Sequence, residues 1–169
     1  MKTTLHHDFL ITQDLVYKPL NLSCTSSMPE SESQEYGACV FKLNSLHIRF
    51  RVAKITPTKI GQFVTLWKRI GKNPIEPYDA LDLVDFFVIS VRDKNNFGQF
   101  VFPKSILLEK GIFSKSGKGG KRGIRVYPAW DKVVSSQAKK TQQWQLNYFL
   151  NMSSDCSIDY VRASLLYSS

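Results

Sequence analysis

Residues 38–52 constrain the fold more tightly than any other stretch. Cys39, Phe41 and Leu43 alternate with Val40 and Lys42, and Leu46, Ile48, Phe50 and Val52 alternate with His47, Arg49 and Arg51. A period of two is the signature of strands that bury one face. Asn44-Ser45 between the runs supplies a two-residue turn, because asparagine tolerates positive φ at small cost. The predicted register sets Leu43 opposite Leu46, Phe41 opposite Ile48 and Cys39 opposite Phe50 on one face. The other face then carries Lys42 opposite His47, Val40 opposite Arg49 and Ala38 opposite Arg51. The pleat therefore dictates a hairpin with one apolar and one cationic face.

Strand signals continue downstream. Gln62 to Arg69 reads as a third strand, with its inward face ambiguous among Phe63, Val64, Leu66 and Trp67. Residues 71–82 hold Pro74 and Pro77 and read as a loop. Val84 to Arg92 is nearly continuous in apolar residues, which predicts a central strand buried on both faces. Asp93 to Asn96 turns that strand into Phe97 to Phe102, a second hairpin. Pro103 and Gly111 bracket a short helix whose apolar face is Ile106, Leu107 and Leu108. Residues 115–123 form a cationic loop, and Gly123 to Tyr127 is a further strand closed by Pro128. Ser135 caps a helix expected to run to about Met152.

The ends are less patterned. Residues 1–36 read as an N-terminal lead-in: a short helix over Asp8 to Tyr17, with Phe9, Leu10, Leu15 and Val16 inward, then an exposed loop over Leu22 to Glu35. Residues 153–169 read as a tail that docks through Tyr160, Val161, Leu165 and Leu166. Between them, residues 37–152 form a single α+β domain. The expected architecture is a mostly antiparallel curled sheet or open barrel of about six strands, with two or three flanking helices.

A chain of 169 residues with 43% hydrophobic side chains is enough for one real core, which excludes wholesale disorder. No apolar run exceeds four residues, as in Phe86 to Ile89, against the roughly 20 of a membrane helix. No apolar segment follows Met1-Lys2, so no secretory signal and no membrane partner are expected. Cys24, Cys39 and Cys156 share no pair spacing, which fits a reducing cytoplasm better than a disulfide framework or a zinc knuckle.

Charge is the strongest functional signal. The formal net charge is +9, and it is segregated. Gly37 to Ile75 holds eight basic residues and no acid, while Lys94 to Lys140 holds eleven basic residues against Glu109 and Asp131. Between them lie Glu76, Asp79, Asp82, Asp85 and Asp93 against Arg92 alone. Such an excess points to a polyanionic partner.

Catalytic patterns are scarce. His6, His7 and His47 have no partner at metal-ligand spacing, and Gly-x-Ser-x-Gly is absent. Gly117 to Gly123 resembles a phosphate loop in composition only, because it leads into a strand instead of opening a helix. A restriction-type nuclease needs Asp/Glu-x-Lys at the end of a strand, and no acid here is followed two positions later by lysine. The nearest segment, Val52-Ala53-Lys54, has valine where the metal-binding acid belongs. Neither a cofactor nor a catalytic residue is expected. The rival enzymatic reading is a metal-dependent nuclease built on Asp79, Asp82 or Asp85, and a third reading is a regulatory module that docks an acidic protein.

The leading expectation is non-enzymatic binding of nucleic acid, DNA or RNA, with no oligomeric state implied. His47, Arg49 and Arg51 would present cations at roughly 6–7 Å steps along one strand. Lys54, Lys59, Lys68, Arg69, Lys121, Arg122, Arg125, Lys139 and Lys140 would extend that surface, and Trp67, Trp130 and Trp144 are candidate stacking platforms.

Several blocks occur in order: Tyr36-Gly-Ala-Cys-Val-Phe-Lys-Leu-Asn44, Phe50-Arg-Val-Ala-Lys-Ile-Thr-Pro-Thr-Lys59, Gly61-Gln-Phe-Val-Thr-Leu-Trp-Lys-Arg69, Asp85-Phe-Phe-Val-Ile-Ser-Val-Arg92, Phe97-Gly-Gln-Phe-Val-Phe-Pro-Lys104 and Gly123-Ile-Arg-Val-Tyr-Pro-Ala-Trp-Asp131. Together, from about residue 30 to 150, they resemble the MepB-like family of small bacterial proteins. The family's namesake is encoded beside a multidrug efflux transporter and that transporter's repressor. The resemblance implies a lean toward nucleic acid and transfers no catalytic residue.

Overall fold

The predicted hairpin forms in the predicted register. In the computed structural model, which describes residues 4–168, β2 (Cys39–Leu43) and β3 (Leu46–Val52) pair with Cys39 opposite Phe50, Phe41 opposite Ile48 and Leu43 opposite Leu46. Asn44 takes the left-handed turn conformation at φ 55°. Around this pair grows a six-stranded sheet that is not closed into a barrel. Its members are β1 (Cys24–Pro29), β2, β3, β8 (Phe86–Asp93), β9 (Asn96–Pro103) and β11 (Phe149–Asn151), in that order. All its pairs are antiparallel except β3 with β8. A second sheet has the order β10 (Gly123–Val126), β5 (Gln62–Thr65), β4 (Lys54–Ile55), and β6 (Trp67–Lys68) pairs with β7 (Glu76–Pro77). Among the described residues four α-helices complete an α+β fold: α1 (His7–Thr12), α2 (Lys104–Glu109), α3 (Ser136–Gln145) and α4 (Tyr160–Leu166).

The central strand β8 is buried on both faces and feeds two cores by its alternation. Phe86 and Val88 join Phe41, Ile48 and Phe50 beneath α1 and α4. Phe87 and Ile89 join Phe100, Phe102, Val64 and Val126 beneath the smaller sheet. The expected third strand splits at Leu66 into β5 and β6, which lie in different sheets. Val64 and Leu66 turn inward and Phe63 outward.

The ends depart from expectation. The segment read as an exposed loop holds β1, the sheet edge. Its Ser/Thr-rich sequence carries no apolar alternation because only β2 needs it, and the ladder shifts register between Thr25 and Met28. In the N-terminal helix Phe9 and Val16 are buried, but Leu10 and Leu15 are exposed. A π-helical turn over Gln13–Tyr17 changes the phase and brings Tyr17 inward instead. The helix after Ser135 stops at Gln145, and Phe149 and Leu150, read as its apolar face, form β11 against β9. In α4, Leu166 is buried as expected, together with Ala163 and Tyr167, while Tyr160, Val161 and Leu165 stay exposed.

Lead-in and tail are joined through the first core. The Tyr17 and Tyr167 hydroxyls lie 3.1 Å apart, and Tyr167 donates to Gln99 Oε1. Gln99 Nε2 in turn donates to Thr12 Oγ1 at 3.3 Å. Burial pushes both phenols well above their ordinary range, so both stay protonated. Tyr167→Phe leaves a buried acceptor on Gln99 and should cost about 1–3 kcal/mol. Thermal unfolding should register this as a drop of several degrees in Tm; an unchanged Tm would mean that the network does not tie the termini together.

Candidate nucleic-acid interface

The cationic face of the hairpin turns into the protein at Arg51 and partly at Arg49, while Lys42 near the turn stays exposed. Arg49 and Arg51 stand on the side of β3 opposite Phe50, where the second layer covers them. Arg51 is 1% exposed. Its guanidinium lies 5.2 Å from the Phe87 ring centroid, and that of Arg49 lies 5.1 Å from the Tyr78 ring. Glu30, just past β1, uses one carboxylate oxygen for each arginine. Arg51 therefore cannot serve as a phosphate contact, and Arg49 is already neutralised. The pleat placed these residues on one face correctly; the second layer decides that this face is interior.

Glu30→Ala would strand two guanidiniums around one buried site. A loss of about 3–5 kcal/mol is expected, read by urea unfolding, with Arg51→Met in the same background recovering part of it. A Glu30→Ala protein of undiminished stability would contradict the pairing.

Other expected contacts are also engaged. Lys68 bonds Asp82 at 2.7 Å and lies 3.8 Å from Glu76, and Arg69 bonds Glu32 at 2.9 Å. His47 sits half-buried on β3, its backbone N–H donating to Asp85 at 2.7 Å. Arg122 donates to the Ile75 carbonyl at 3.3 Å.

The acids of the rival nuclease reading are structural too. The Asp79 carboxylate accepts from Ser114 Oγ at 2.6 Å, from Gly117 N–H at 3.0 Å and from Leu81 N–H at 3.1 Å. These bonds, that of Ser114 foremost, lower its pKa from 3.8 to about 2. Among the described residues no group of three or more His, Cys, Asp or Glu side chains could hold a metal ion. Because the folded pKa of Asp79 is depressed, its anchoring of residues 114–117 is fully present above about pH 4. It should be lost as pH falls toward 2. The protection of the Gly117 amide, taken relative to its intrinsic exchange rate at each pH, should fall across that window and lose its pH step in Asp79→Asn.

The remaining expected cations gather elsewhere. Lys54, Lys59, Lys121 and Arg125 make no salt bridge among the described residues. All four belong to one region, the outer face of the β10-β5-β4 sheet and its margins. The ladder aligns Lys54, Phe63 and Arg125 in a row across the three strands. Gln62, Val64, Ile124 and Val126 face the core, so Phe63, Arg125 and Tyr127 face out. Two glycines flatten this face. A Cβ on Gly123 would stand 2.6 Å from the Phe63 ring, and one on Gly61, at φ 84°, would stand 2.7 Å from the Tyr127 ring. The aromatic rings thus lie against bare backbone on the neighbouring strand.

Beside this face α3 forms a wall, and the two enclose a cavity of about 550 Å³. Lys59, Lys110, Lys121 and Arg125 line it together with Phe63 and Trp144, and no carboxylate among the described residues does. Gln145 secures the wall: its side chain donates to the Arg125 carbonyl and accepts from Tyr127 N–H, each at 2.9 Å. Lys139 and Lys140 are exposed on α3 but do not line the cavity. Of the tryptophans, Trp144 alone lines the cavity; Trp67 stacks with Arg69 and Trp130 packs on Phe149.

Sequence reasoning missed Lys110, Phe63 and Tyr127. The signal for the rings was present in the paired segments Gly61-Gln-Phe-Val-Thr65 and Gly123-Ile-Arg-Val-Tyr127, which share one alternation. Lys110 follows α2 and reaches the site only through tertiary packing.

A search of curated proteins finds no match. The crystal structure of MepB matches with a TM-score of 0.75 at 34% sequence identity, covering 87% of this chain and 97% of that one. The MepB-like family pattern matches residues 30–151, most of the chain and all of the platform between β4 and α3, so this chain belongs to the MepB-like family.

Proposed function

We propose that this protein binds nucleic acid without catalysis, gripping phosphates at the outer face of the β10-β5-β4 sheet. The observation that carries this reading is the cavity beside that face, where four cations and three aromatic rings meet with no carboxylate among the described residues. Cations unneutralised by protein are the ones that can exchange counterions for phosphates. The proposed contacts are Lys54, Lys59, Lys110, Lys121 and Arg125, replacing the hairpin arginines as the primary grip. No helix among the described residues is long and apolar enough to cross a membrane. We place the protein in the cytoplasm, where its three unpaired cysteines suit a reducing environment.

The test is anisotropy with labelled oligonucleotides at several salt concentrations. Each phosphate contact contributes about 0.7–0.9 to the slope of log K against log salt. Replacing Lys59, Lys110 and Lys121 together with alanine should weaken binding to every sequence and flatten the slope by about two. Lys42→Ala, exposed on β2 outside the platform, should leave both unchanged. An unaltered slope in the triple variant would remove this face from the proposal.

A further inference from the structure

Resting on that reading, the geometry points to a single-stranded nucleic acid as the ligand, with separated bases stacked on Phe63 and Tyr127. We infer this from the setting of the two rings on glycine backbone among cations.

Tyr127 continues β10 to a place opposite Gly61, and Phe63 pairs across from Arg125, two residues farther along. The two residues are therefore diagonal cross-strand neighbours, and their rings lean toward different glycines, Phe63 over Gly123 and Tyr127 over Gly61. Successive bases in a duplex are stacked about 3.4 Å apart. Two rings each lying on its own glycine offer separate platforms that take bases one at a time, which an intact stack does not present. Gly61 and Gly123 keep the strands beneath the rings bare, so the platform is flat where a base must lie.

The cations are placed for a strand on such a platform. Adjacent strands are about 4.8 Å apart, so Lys54 and Arg125 flank Phe63 on either side within one row. Arg125 is fixed in place: it donates to the Ile60 and Gly61 carbonyls at 3.3 Å and to Thr56 Oγ1. Lys59 and Lys121 line the cavity beside it. Cations interleaved with aromatic faces are what a sequence-tolerant single-strand site requires. A duplex, with its bases paired inside and phosphates on a convex surface, would reach the lysines and leave both rings untouched. The α3 wall adds to this, since it makes the site a groove and not an open face.

The experiment compares four labelled 15-mers on the full chain: oligo-dT, oligo-rU, a dT strand carrying abasic sites, and a duplex. Tight binding of dT and rU, with the abasic strand and the duplex each on the order of tenfold weaker, is expected from loss of base–aromatic stacking. Equal affinity for dT and its abasic counterpart, or a duplex bound as tightly as the single strands, would overturn the inference. Phe63→Leu and Tyr127→Leu keep apolar volume and remove the flat ring. They should abolish the preference for dT over the abasic strand without weakening duplex binding, and Phe63→Tyr should restore it. A preference that survives both leucine variants would also overturn it. Failure of the underlying proposal looks different: salt-insensitive binding, or full affinity for all four ligands in the Lys59, Lys110 and Lys121 triple variant.

Discussion

Arg51 lies beside Phe87 at the junction of the two layers, where Glu30 brings a carboxylate to it. The pleat of β3 leaves no choice about where the arginines go: once Ile48 and Phe50 enter the first core, Arg49 and Arg51 face the second. Burying a guanidinium without a partner costs several kcal/mol. Glu30 meets that need from just beyond the edge strand, so β1 has to be in place for the layers to close. Two arginines share one carboxylate, and the Nε atoms of both are left without a partner. The remaining compensation comes from the Tyr78 and Phe87 rings and from the Phe50 carbonyl, which accepts from Arg51 at 3.0 Å.

The same logic of covered faces explains why both chain ends belong to the fold. The main sheet is apolar on both sides, and the smaller sheet with α2 and α3 covers only one. The other is covered by α1, the π-helical turn and α4, segments that begin and end the chain. Polar groups pin them at defined points. Asp8 accepts from Arg92 at 2.9 Å and from Ser90 at 3.3 Å, and Tyr167 donates to Gln99 while its hydroxyl meets that of Tyr17.

What the sequence disclosed follows from where alternation is clean. The β2-β3 register, the doubly buried β8, the β8-β9 hairpin and the Pro103-to-Gly111 helix were legible, because each is set by local period and turn chemistry. The edge strand β1 was not, since an edge that faces water on one side needs no hydrophobic pattern. Nor was the boundary of α3: Trp144, Leu146, Tyr148, Phe149 and Leu150 are apolar in a cluster that suits a helix face or a strand, and the open edge of β9 decided for a strand. At the site, Lys54, Lys59, Lys121 and Arg125 could be named from composition, but their separation from Arg49, Arg51, Lys68 and Arg69 could not. That division depends on Glu30, Glu32, Glu76 and Asp82 arriving from distant parts of the chain.

Neutralisation by tertiary contact is therefore the step that turns a diffuse positive charge into a directed one. Glu30, Glu32, Glu76 and Asp82 are spent on the hairpin and on the β6-β7 region, where they pair with Arg49, Arg51, Lys68 and Arg69. The outer face of β10-β5-β4 receives none of them. Its cations keep their charge, and the rings beside them lie on glycine backbone with one face toward solvent. A duplicate of this surface could not have been built at the centre of the main sheet, where β8 and β9 commit both faces to core packing. The small sheet is the part of the molecule with a pleated face left over, and that spare face is where a flat, positively charged, aromatic platform can exist.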